Sequence, residues 1–283
     1  MKSLNKIPTL NKAIDVTCAI ITFSISSVLA CICSSTALGQ NLQTDAVDVR
    51  WQNVRPGLSM SVYPLSSPPL YIGSEILLFK IDLSFLMANL ALAQDLGQPL
   101  SDVETMTLNA NGIIGINANF FDPEGRALGL ILKDYKIIQK LYGIKKYGGI
   151  FYIKDNKPGL VNKLEELPAD TLLAFQAFPR LIYKSQPIAI NSSGVATRRS
   201  GIAITKSNEI IIYLTRLRFP GATLNQVQQM LLDPRLEITD ALNLDGGGSS
   251  QLFLSSELNS HEEILVTGGD KIPVALIFKS KTN

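Results

Sequence analysis

Hydrophobic and polar positions alternate, or form short apolar runs between turn residues, along most of this chain. This pattern is typical of β-strands. Residues 47–63 predict extended structure interrupted at Pro56-Gly57, and residues 200–205 and 209–215 flank a polar link that predicts a β-hairpin. Further strands are predicted at residues 75–83, 113–116, 128–139, 149–154, 241–245, 251–254 and 274–278.

Two segments predict helices. Residues 223–232 carry apolar side chains at 224, 227, 230 and 231, the spacing of one helical face, and Thr223 can cap the start. Residues 101–109 predict a shorter helix, with Ser101 and Glu104 in capping-box spacing. For residues 86–95 the periodicity does not choose between helix and strand.

These elements predict the α+β class, as a single domain with a mixed, largely antiparallel sheet and a few packing helices. The chain has 283 residues, of which 46% are hydrophobic and 18% charged, so it can bury a sizeable core. No internal repeat or low-complexity tract is visible in the sequence.

The first 39 residues predict an export signal. Three lysines precede an apolar stretch at residues 16–33, and the small residues Ala37 and Gly39 precede Gln40. An uncleaved membrane anchor is the main alternative, because the apolar run approaches the length that spans a bilayer. A lipoprotein signal ending at Cys31 is a third alternative. The predicted location is therefore the periplasm, the extracellular space or a lumen, with membrane contact only through an uncleaved N-terminal segment.

Removal of residues 1–39 changes the available chemistry. All three cysteines lie in this segment, so the mature chain has no disulfide, thiolate nucleophile or cysteine metal ligand. Removal also takes away three lysines and one aspartate from the 26 basic and 24 acidic residues, which leaves 23 of each. This balance gives no reason to expect a nucleic-acid partner. His261, the single histidine, lies in a polar stretch and is the only candidate base for a Ser-His-Asp mechanism.

The most informative segment is residues 241–254, ALNLDGGGSSQLFL. Its apolar positions predict two short strands around a turn in which Asp245 precedes three glycines and two serines. Successive glycines allow backbone N–H groups to converge on an anion, so this turn is a candidate oxyanion site. The alternative is an ordinary glycine-rich turn in which Asp245 and Ser249 only satisfy turn hydrogen bonds.

Four blocks of the sequence resemble the phosphodiester glycosidase family. They are GINANFFD at 115–122 followed by Gly125 and Leu128-Gly129, QAFPRL at 176–181, RRSGIAI at 198–204, and ALNLDGGGSSQLF at 241–253. The resemblance favours a strand at residues 86–95. It divides the chain into the leader or anchor at 1–39, an N-terminal extension at 40–74 and a phosphodiester glycosidase-like domain at 75–281.

The resemblance implies hydrolysis of the bond between a sugar's anomeric carbon and a phosphodiester oxygen. Asp245 is the candidate catalytic carboxylate. Arg199 is the candidate phosphate clamp, because strand alternation sends Arg198 and Arg199 to opposite faces and guanidinium binds oxyanions bidentately. The other candidate substrate-binding residues are Asn117, Asn243, Gly246, Gly247, Gly248, Ser249, Ser250 and Arg180. A sugar-phosphate diester or cell-surface glycan is the expected partner.

No cofactor is required by this chemistry. Asp122, Glu124 and Asp245 together could hold a hard cation such as Ca²⁺, although no EF-hand spacing is present. Asp122 also begins a good turn sequence, and Phe120 and Phe121 suit either a sugar-stacking face or the core.

The chain departs from the family pattern at two places. Ala118-Asn119 replaces a glycine pair, and Phe178 replaces the glycine of QAGP. Side chains at these positions would narrow a pocket. Two alternative functions therefore stay open: a noncatalytic module that binds cell-surface polysaccharide, and an exopolysaccharide biosynthesis or export factor.

Overall fold

The computed structural model describes residues 49–65, 74–141, 148–190, 194–216, 221–256 and 262–281. The predicted export signal, the three cysteines and His261 lie outside these residues. Residues from Ala46 to Asn283 belong to one compact unit. Among the described helices, none has the length and apolarity needed to cross a membrane.

The described residues form strands and two short helices, with a few 3₁₀ turns. The strands are β1 Gln52–Arg55, β2 Leu58–Leu65, β3 Ser74–Ile81, β4 Leu86–Leu92, β5 Ile114–Asn117, β6 Ile131–Lys133, β7 Lys136–Gln139, β8 Gly149–Lys154, β9 Lys157–Val161, β10 Leu173–Ala177, β11 Arg180–Tyr183, β12 Gln186–Pro187, β13 Ser200–Thr205, β14 Ile210–Thr215, β15 Ile238–Asn243, β16 Leu252–Leu254, β17 Ile264–Val266 and β18 Val274–Ser280. The helices are α1 Val103–Asn109 and α2 Leu224–Leu231.

The strands form three sheets rather than the one predicted sheet. Sheet A has the order β1-β2-β3-β14-β13-β15-β11-β12, sheet B the order β7-β6-β10-β8-β9, and sheet C the order β17-β16-β5-β18-β4. All the strand pairings described are antiparallel. The predicted strand dominance and antiparallel character are confirmed, and parallel pairing is absent from the described strands. Strands β1 and β2, from the predicted N-terminal extension, continue sheet A beyond β3.

The predicted hairpin is present, since β13 and β14 pair from Ser200 opposite Leu214 to Ile204 opposite Ile210. Both strands are buried along their whole length. One face of sheet A packs into a core shared with sheets B and C, where Ile202 and Leu242 join Phe175 and Leu276. The other face packs against α2 through Val227 and its neighbours.

The start of α2 follows the sequence pattern. The Thr223 side chain accepts from the Gln226 amide, and the Gln226 side chain accepts from the Thr223 amide, which makes a complete capping box. The shorter α1 begins one residue later than the predicted cap. Asp102, not Ser101, accepts from the Thr105 amide, because the backbone of Ser101 forms an antiparallel bridge with Ile272.

Pairing with β18 determines the structure of residues 86–95, where the sequence periodicity does not choose between helix and strand. Residues 86–92 form β4, and each pairs with a residue of β18, from Leu86 opposite Ser280 to Leu92 opposite Val274. Only the beginning of the segment is strand, because residues 93–96 turn as a short 3₁₀ helix.

Candidate functional site

Three of the four sequence blocks connect a strand of one sheet to a strand of another sheet. The first leads from β5 of sheet C to β6 of sheet B, the second from β10 of sheet B to β11 of sheet A, and the segment 244–251 from β15 of sheet A to β16 of sheet C. The arginine pair of the remaining block immediately precedes β13. Residues far apart in sequence therefore meet where the sheets join.

The backbone carbonyl oxygen of Asp245 is the centre of this junction. It accepts one hydrogen bond from Asn117 Nδ2 at 2.7 Å and another from Ser200 Oγ at 2.8 Å. The Asp245 amide donates to the carbonyl oxygen of Ala118 at 3.3 Å. Asn117 and Ser200 are both fully buried. The start of the glycine loop, residues 245–250, is therefore positioned by two other blocks.

Further bonds complete the junction. Asn243 Nδ2 donates to the carbonyl of Phe178 at 3.2 Å, and Asn119 Nδ2 donates to the carbonyl of Gln176, also at 3.2 Å. The amide of Gly247 donates to the carbonyl of Arg198 at 2.8 Å. These asparagines thus position the backbone. Within the described residues, no partner contacts Oδ1 of Asn119, Oδ1 of Asn243 or the Ser250 hydroxyl, although all three oxygens are buried.

The carboxyl group of Asp245 is half-buried, and its environment favours the neutral form. The pKa of this carboxyl is raised from the ordinary 3.8 to about 6, mainly by burial and to a smaller extent by the negative charge of Asp270. Hydrogen bonds from the Ser249 hydroxyl and the Gly246 amide oppose this shift. A carboxyl that titrates near neutral pH is suited to exchange a proton with a substrate or water.

The guanidinium of Arg199 lies beside the glycine loop. Its Nε donates to the carbonyl of Ala222 at 3.1 Å and Nη2 to the carbonyl of Val195 at 2.9 Å. A Cβ built on Gly246 would lie 3.7 Å from Nη1. Across the described residues, no carboxylate forms an ion pair with Arg199, and burial lowers the pKa of its guanidinium. An anion at this position would supply the missing negative charge.

The amides of the glycine loop are largely used inside the protein. The amide of Gly247 donates to Arg198, those of Ser249 and Ser250 donate back to Gly246 and Gly247, and that of Gly246 reaches the Asp245 carboxylate. For the Gly248 amide the described residues supply no acceptor. The geometry therefore offers fewer amides to an anion than three successive glycines indicate.

The other two arginines of the blocks bind protein groups. Arg198 Nη1 donates to the carbonyl of Ser250 at 3.2 Å and to that of Thr267. Arg180 is 2% exposed, and its guanidinium donates to Asp240 Oδ1 and Asn162 Oδ1 at 2.5 Å each and to the Leu160 carbonyl at 3.2 Å. No residue of the glycine loop is among the described hydrogen-bond partners of Arg180, so the structure does not bring this candidate to the loop.

An aromatic pair covers the backbone that Asn243 contacts. The ring of Phe178 stacks on that of Phe120, with centroids 4.2 Å apart and an angle of 20° between the planes. Both side chains are half-buried. Phe178, at the position where the family pattern QAGP has glycine, is therefore part of an aromatic surface.

The residues suggested for a cation have other partners. Asp122 accepts from Arg126 Nε at 2.8 Å, and Glu124 accepts from Arg126 Nη2 at 3.2 Å. Nowhere in the described ranges do three His, Cys, Asp or Glu side chains group as metal ligands. Asp122, Glu124 and Arg126 instead line a cavity of about 570 Å³ with Gln94, Gln139 and apolar residues of β4 and β18.

Two residues that the sequence reasoning missed also contact this junction. The amide of Gln251 donates to Asn117 Oδ1 at 3.1 Å, and its side chain donates to the carbonyl of Asp270 at 2.6 Å. Both residues line a second cavity, of about 390 Å³. The sequence signal for Asp270 is Gly268-Gly269-Asp270, a second acidic glycine turn like the one at Asp245.

Three solved structures show the same fold. A zebrafish N-acetylglucosamine-1-phosphodiester alpha-N-acetylglucosaminidase catalytic domain, auto-inhibited by its pro-peptide, has a TM-score of 0.63 at 16% identity, covering 81% of this chain and 86% of that one. A Synechocystis protein has a TM-score of 0.58 at 14% identity, covering 84% and 65%. A Burkholderia pseudomallei protein described as exported has a TM-score of 0.53 at 14% identity, covering 76% of each.

No curated protein sequence matches the chain. The sequence pattern of the phosphodiester glycosidase domain matches residues 110–279, which is more than half of the chain and includes all four blocks. This chain belongs to the phosphodiester glycosidase family.

Proposed function

We propose that this protein is an exported hydrolase that cleaves the glycosidic bond of a sugar-1-phosphodiester and releases the sugar and a phosphate monoester. One observation carries the proposal: the backbone of Asp245, whose carboxyl has a pKa of about 6, is held by residues of two other sequence blocks, and the next residue, Gly246, lies against Arg199, a guanidinium without a carboxylate partner among the described residues. The reaction needs a proton acceptor and an anion-binding group, and the same loop segment carries Asp245 and adjoins Arg199 at Gly246.

In the proposed reaction, the bond between the anomeric carbon and the phosphate oxygen breaks, and the electron pair leaves with the phosphate monoester. The oxygen of water becomes the new hydroxyl on the sugar. Asp245 either takes the proton of that water or first bonds to the anomeric carbon, and in both cases its carboxylate faces a carbon with cationic character. A phosphate monoester is a good leaving group, so one carboxylate is sufficient for the acid–base chemistry.

Arg199 would bind the phosphodiester anion through Nη1. Its other two nitrogens are held by the carbonyls of Ala222 and Val195, so the guanidinium is oriented before a substrate arrives. Pre-orientation lowers the entropy cost of binding. The Gly248 amide is the loop donor that we expect to face the substrate's oxygens.

The proposed location outside the cytoplasm follows from the export pattern of residues 1–39. The likeness to a Burkholderia protein described as exported supports it. Within this proposal, the partners are a soluble sugar-phosphate diester or a glycan of the cell surface that carries such a bond.

A second candidate function is noncatalytic binding of cell-surface polysaccharide or exopolysaccharide. The stacked Phe120 and Phe178 and the internally satisfied glycine-loop amides favour it, because they reduce the space and the donors available to a phosphodiester. Aromatic surfaces also bind sugar rings.

A substrate screen distinguishes the two. Purified mature protein is incubated with a panel of sugar-1-phosphodiesters and, in parallel, with the corresponding aryl glycosides, and released sugar is measured. Asp245→Asn and the exposed-site variant Asp134→Asn serve as the matched pair. Sugar release by the wild type and Asp134→Asn, but not by Asp245→Asn, supports hydrolysis. Glycan binding without release by any of the proteins would favour the noncatalytic module.

A further inference from the structure

The connection between β17 and β18 brings a second carboxylate to the glycine loop. The amides of Gly269 and Asp270 both donate to the carbonyl oxygen of Gly248, at 2.7 and 3.1 Å. Asp270 is 25 positions after Asp245 in the sequence, yet it contacts the third glycine of the same loop.

The Asp270 side chain, and not only its backbone, lies against this loop. A Cβ built on Gly248 would overlap Oδ2 of Asp270 and lie 2.7 Å from its Cγ. Any other amino acid at position 248 would therefore displace the carboxylate. The absence of a side chain at Gly248 leaves room for the Asp270 carboxylate, which explains why the third residue of the run is glycine.

Asp270 is also fixed from the other side. Gln251 Nε2 donates to its carbonyl oxygen at 2.6 Å, while Gln251 Oε1 accepts from the Val103 amide at 3.1 Å. Arg198 Nη1 donates to the carbonyls of Ser250 and Thr267, which joins the start of this connection to the glycine loop. Gln251 also donates to Asn117, so the position of Asp270 is linked to the residue that holds the Asp245 carbonyl.

The charges around the loop are asymmetric. Arg199 lies against Gly246, and Asp270 lies against Gly248. Arg198 Nη1 also reaches the loop, at the carbonyl of Ser250. Asp270 forms no ion pair with a described lysine or arginine. Its negative charge is one of the causes that raise the Asp245 pKa, after burial.

We infer that Asp270 is a positioning residue of the glycosidase site: a second carboxylate, seated against Gly248, that adds negative charge to the surroundings of the Asp245 carboxyl. This inference rests on the proposed function for its catalytic meaning. A base is most effective when its pKa lies near the working pH, so loss of the Asp270 charge weakens Asp245 as a base.

The test measures Asp245 directly. The carboxyl carbon of Asp245 is titrated by NMR in the intact mature protein, in wild type, Asp270→Asn and Asp270→Glu. Because a charge of the same sign is removed, Asp245 should titrate at lower pH in Asp270→Asn than in wild type, and Asp270→Glu, which keeps the charge, should restore most of the wild-type midpoint. Glu104→Gln is the matched control, since Glu104 lines the same cavity as Asp270 but does not act on Asp245.

The titration does not depend on any substrate. An unchanged midpoint in folded Asp270→Asn would overturn the inference, whether or not the protein hydrolyses phosphodiesters. Asp270→Ser, which removes the charge with a smaller side chain, gives the same test if the asparagine variant does not fold. Where hydrolysis is found, the acidic limb of kcat/KM should shift to lower pH in Asp270→Asn, with a smaller loss of plateau activity than in Asp245→Asn.

Discussion

Asn117 and Asp245 are joined by a hydrogen bond of 2.7 Å from the side-chain amide of the first to the backbone carbonyl of the second, across 128 positions of sequence. The same asparagine accepts from the Gln251 amide at 3.1 Å, so one buried side chain holds both ends of the glycine loop. The geometry of the candidate site therefore depends on Asn117, whose side-chain nitrogen and oxygen both form hydrogen bonds with the backbone.

Asn117→Asp should destabilise the protein by about 1 to 3 kcal/mol, because a carboxylate keeps the acceptor for Gln251 but cannot donate to the Asp245 carbonyl. Urea unfolding of the variant and wild type measures the difference. Asn53→Ala, at an exposed position of β1, should change the free energy of unfolding by less than about 0.5 kcal/mol. Equal stability of Asn117→Asp and wild type would contradict this role.

Asp245→Asn should reduce sugar release by about 100-fold or more, since it preserves the shape of the side chain but removes the group that takes the proton or attacks the anomeric carbon. Initial rates on the best phosphodiester of the screen measure it, with circular dichroism as the check of folding. Near-normal turnover by a folded Asp245→Asn protein would remove Asp245 from the catalytic assignment.

The contribution of Asp245 to the free energy of unfolding should fall as pH rises from about 4 to about 6. Its folded-state pKa of about 6 lies above the ordinary 3.8, so the folded state binds the proton more tightly. The contribution is complete below about pH 4, is lost as pH rises through about 6, and amounts to at most about 3 kcal/mol.

Urea unfolding at several pH values measures this contribution as the difference between wild type and Asp245→Asn. Asp102 and Asp233 have lowered pKa values and act in the opposite direction, at lower pH, in both proteins. Parallel stability curves for the two proteins between pH 4 and 6 would contradict the assignment of the raised pKa to Asp245.

Arg199→Ala should weaken hydrolysis of a phosphodiester by about 10- to 100-fold and affect a neutral aryl glycoside much less, because only the first substrate offers an anion to the guanidinium. Ratios of kcat/KM for the two substrates measure it. Arg216→Ala, which removes an exposed arginine paired with Glu75, is the control and should change neither rate by more than about twofold. Equal losses on both substrates would make Arg199 a structural support.

Expression in a host that exports the protein should yield a mature chain that begins near Gln40, because the basic, apolar and small-residue order of residues 1–39 matches a cleaved signal. Mass spectrometry of the intact purified protein measures the N-terminus. A full-length chain in the membrane fraction would favour the anchor, and a lipid-modified Cys31 would favour the lipoprotein signal.

The local elements of this fold follow from the sequence because their causes are local. The Thr223–Gln226 capping box needs only residues within one turn, and the hairpin of β13 and β14 needs only two apolar runs and a short polar link. The family resemblance likewise places a strand at residues 86–95. The length of this strand depends on pairing with a distant segment. β4 ends at Leu92, the last of its residues that pairs with β18.

The cap of α1 shows where local reasoning stops. Ser101 and Glu104 have capping-box spacing, but the backbone of Ser101 is bridged to Ile272, which precedes β18, so Asp102 caps the helix instead. The division into three sheets has the same origin. Alternation along one strand records which face is buried, whereas it does not record which distant strand lies beside it.

For the candidate site, the sequence alone determined the residue types: a carboxylate before three glycines, an arginine before a strand, and asparagines in the 115–122 block and in the glycine-loop block itself. Only the tertiary structure decided how they are used. It directs Asn117 and Asn243 to backbone carbonyls, binds Arg180 to Asp240, satisfies most glycine-loop amides internally and seats Asp270 against Gly248. The physical reason is that buried polar groups must find partners at hydrogen-bonding distance, and those partners are fixed by how the sheets pack and not by neighbours in sequence.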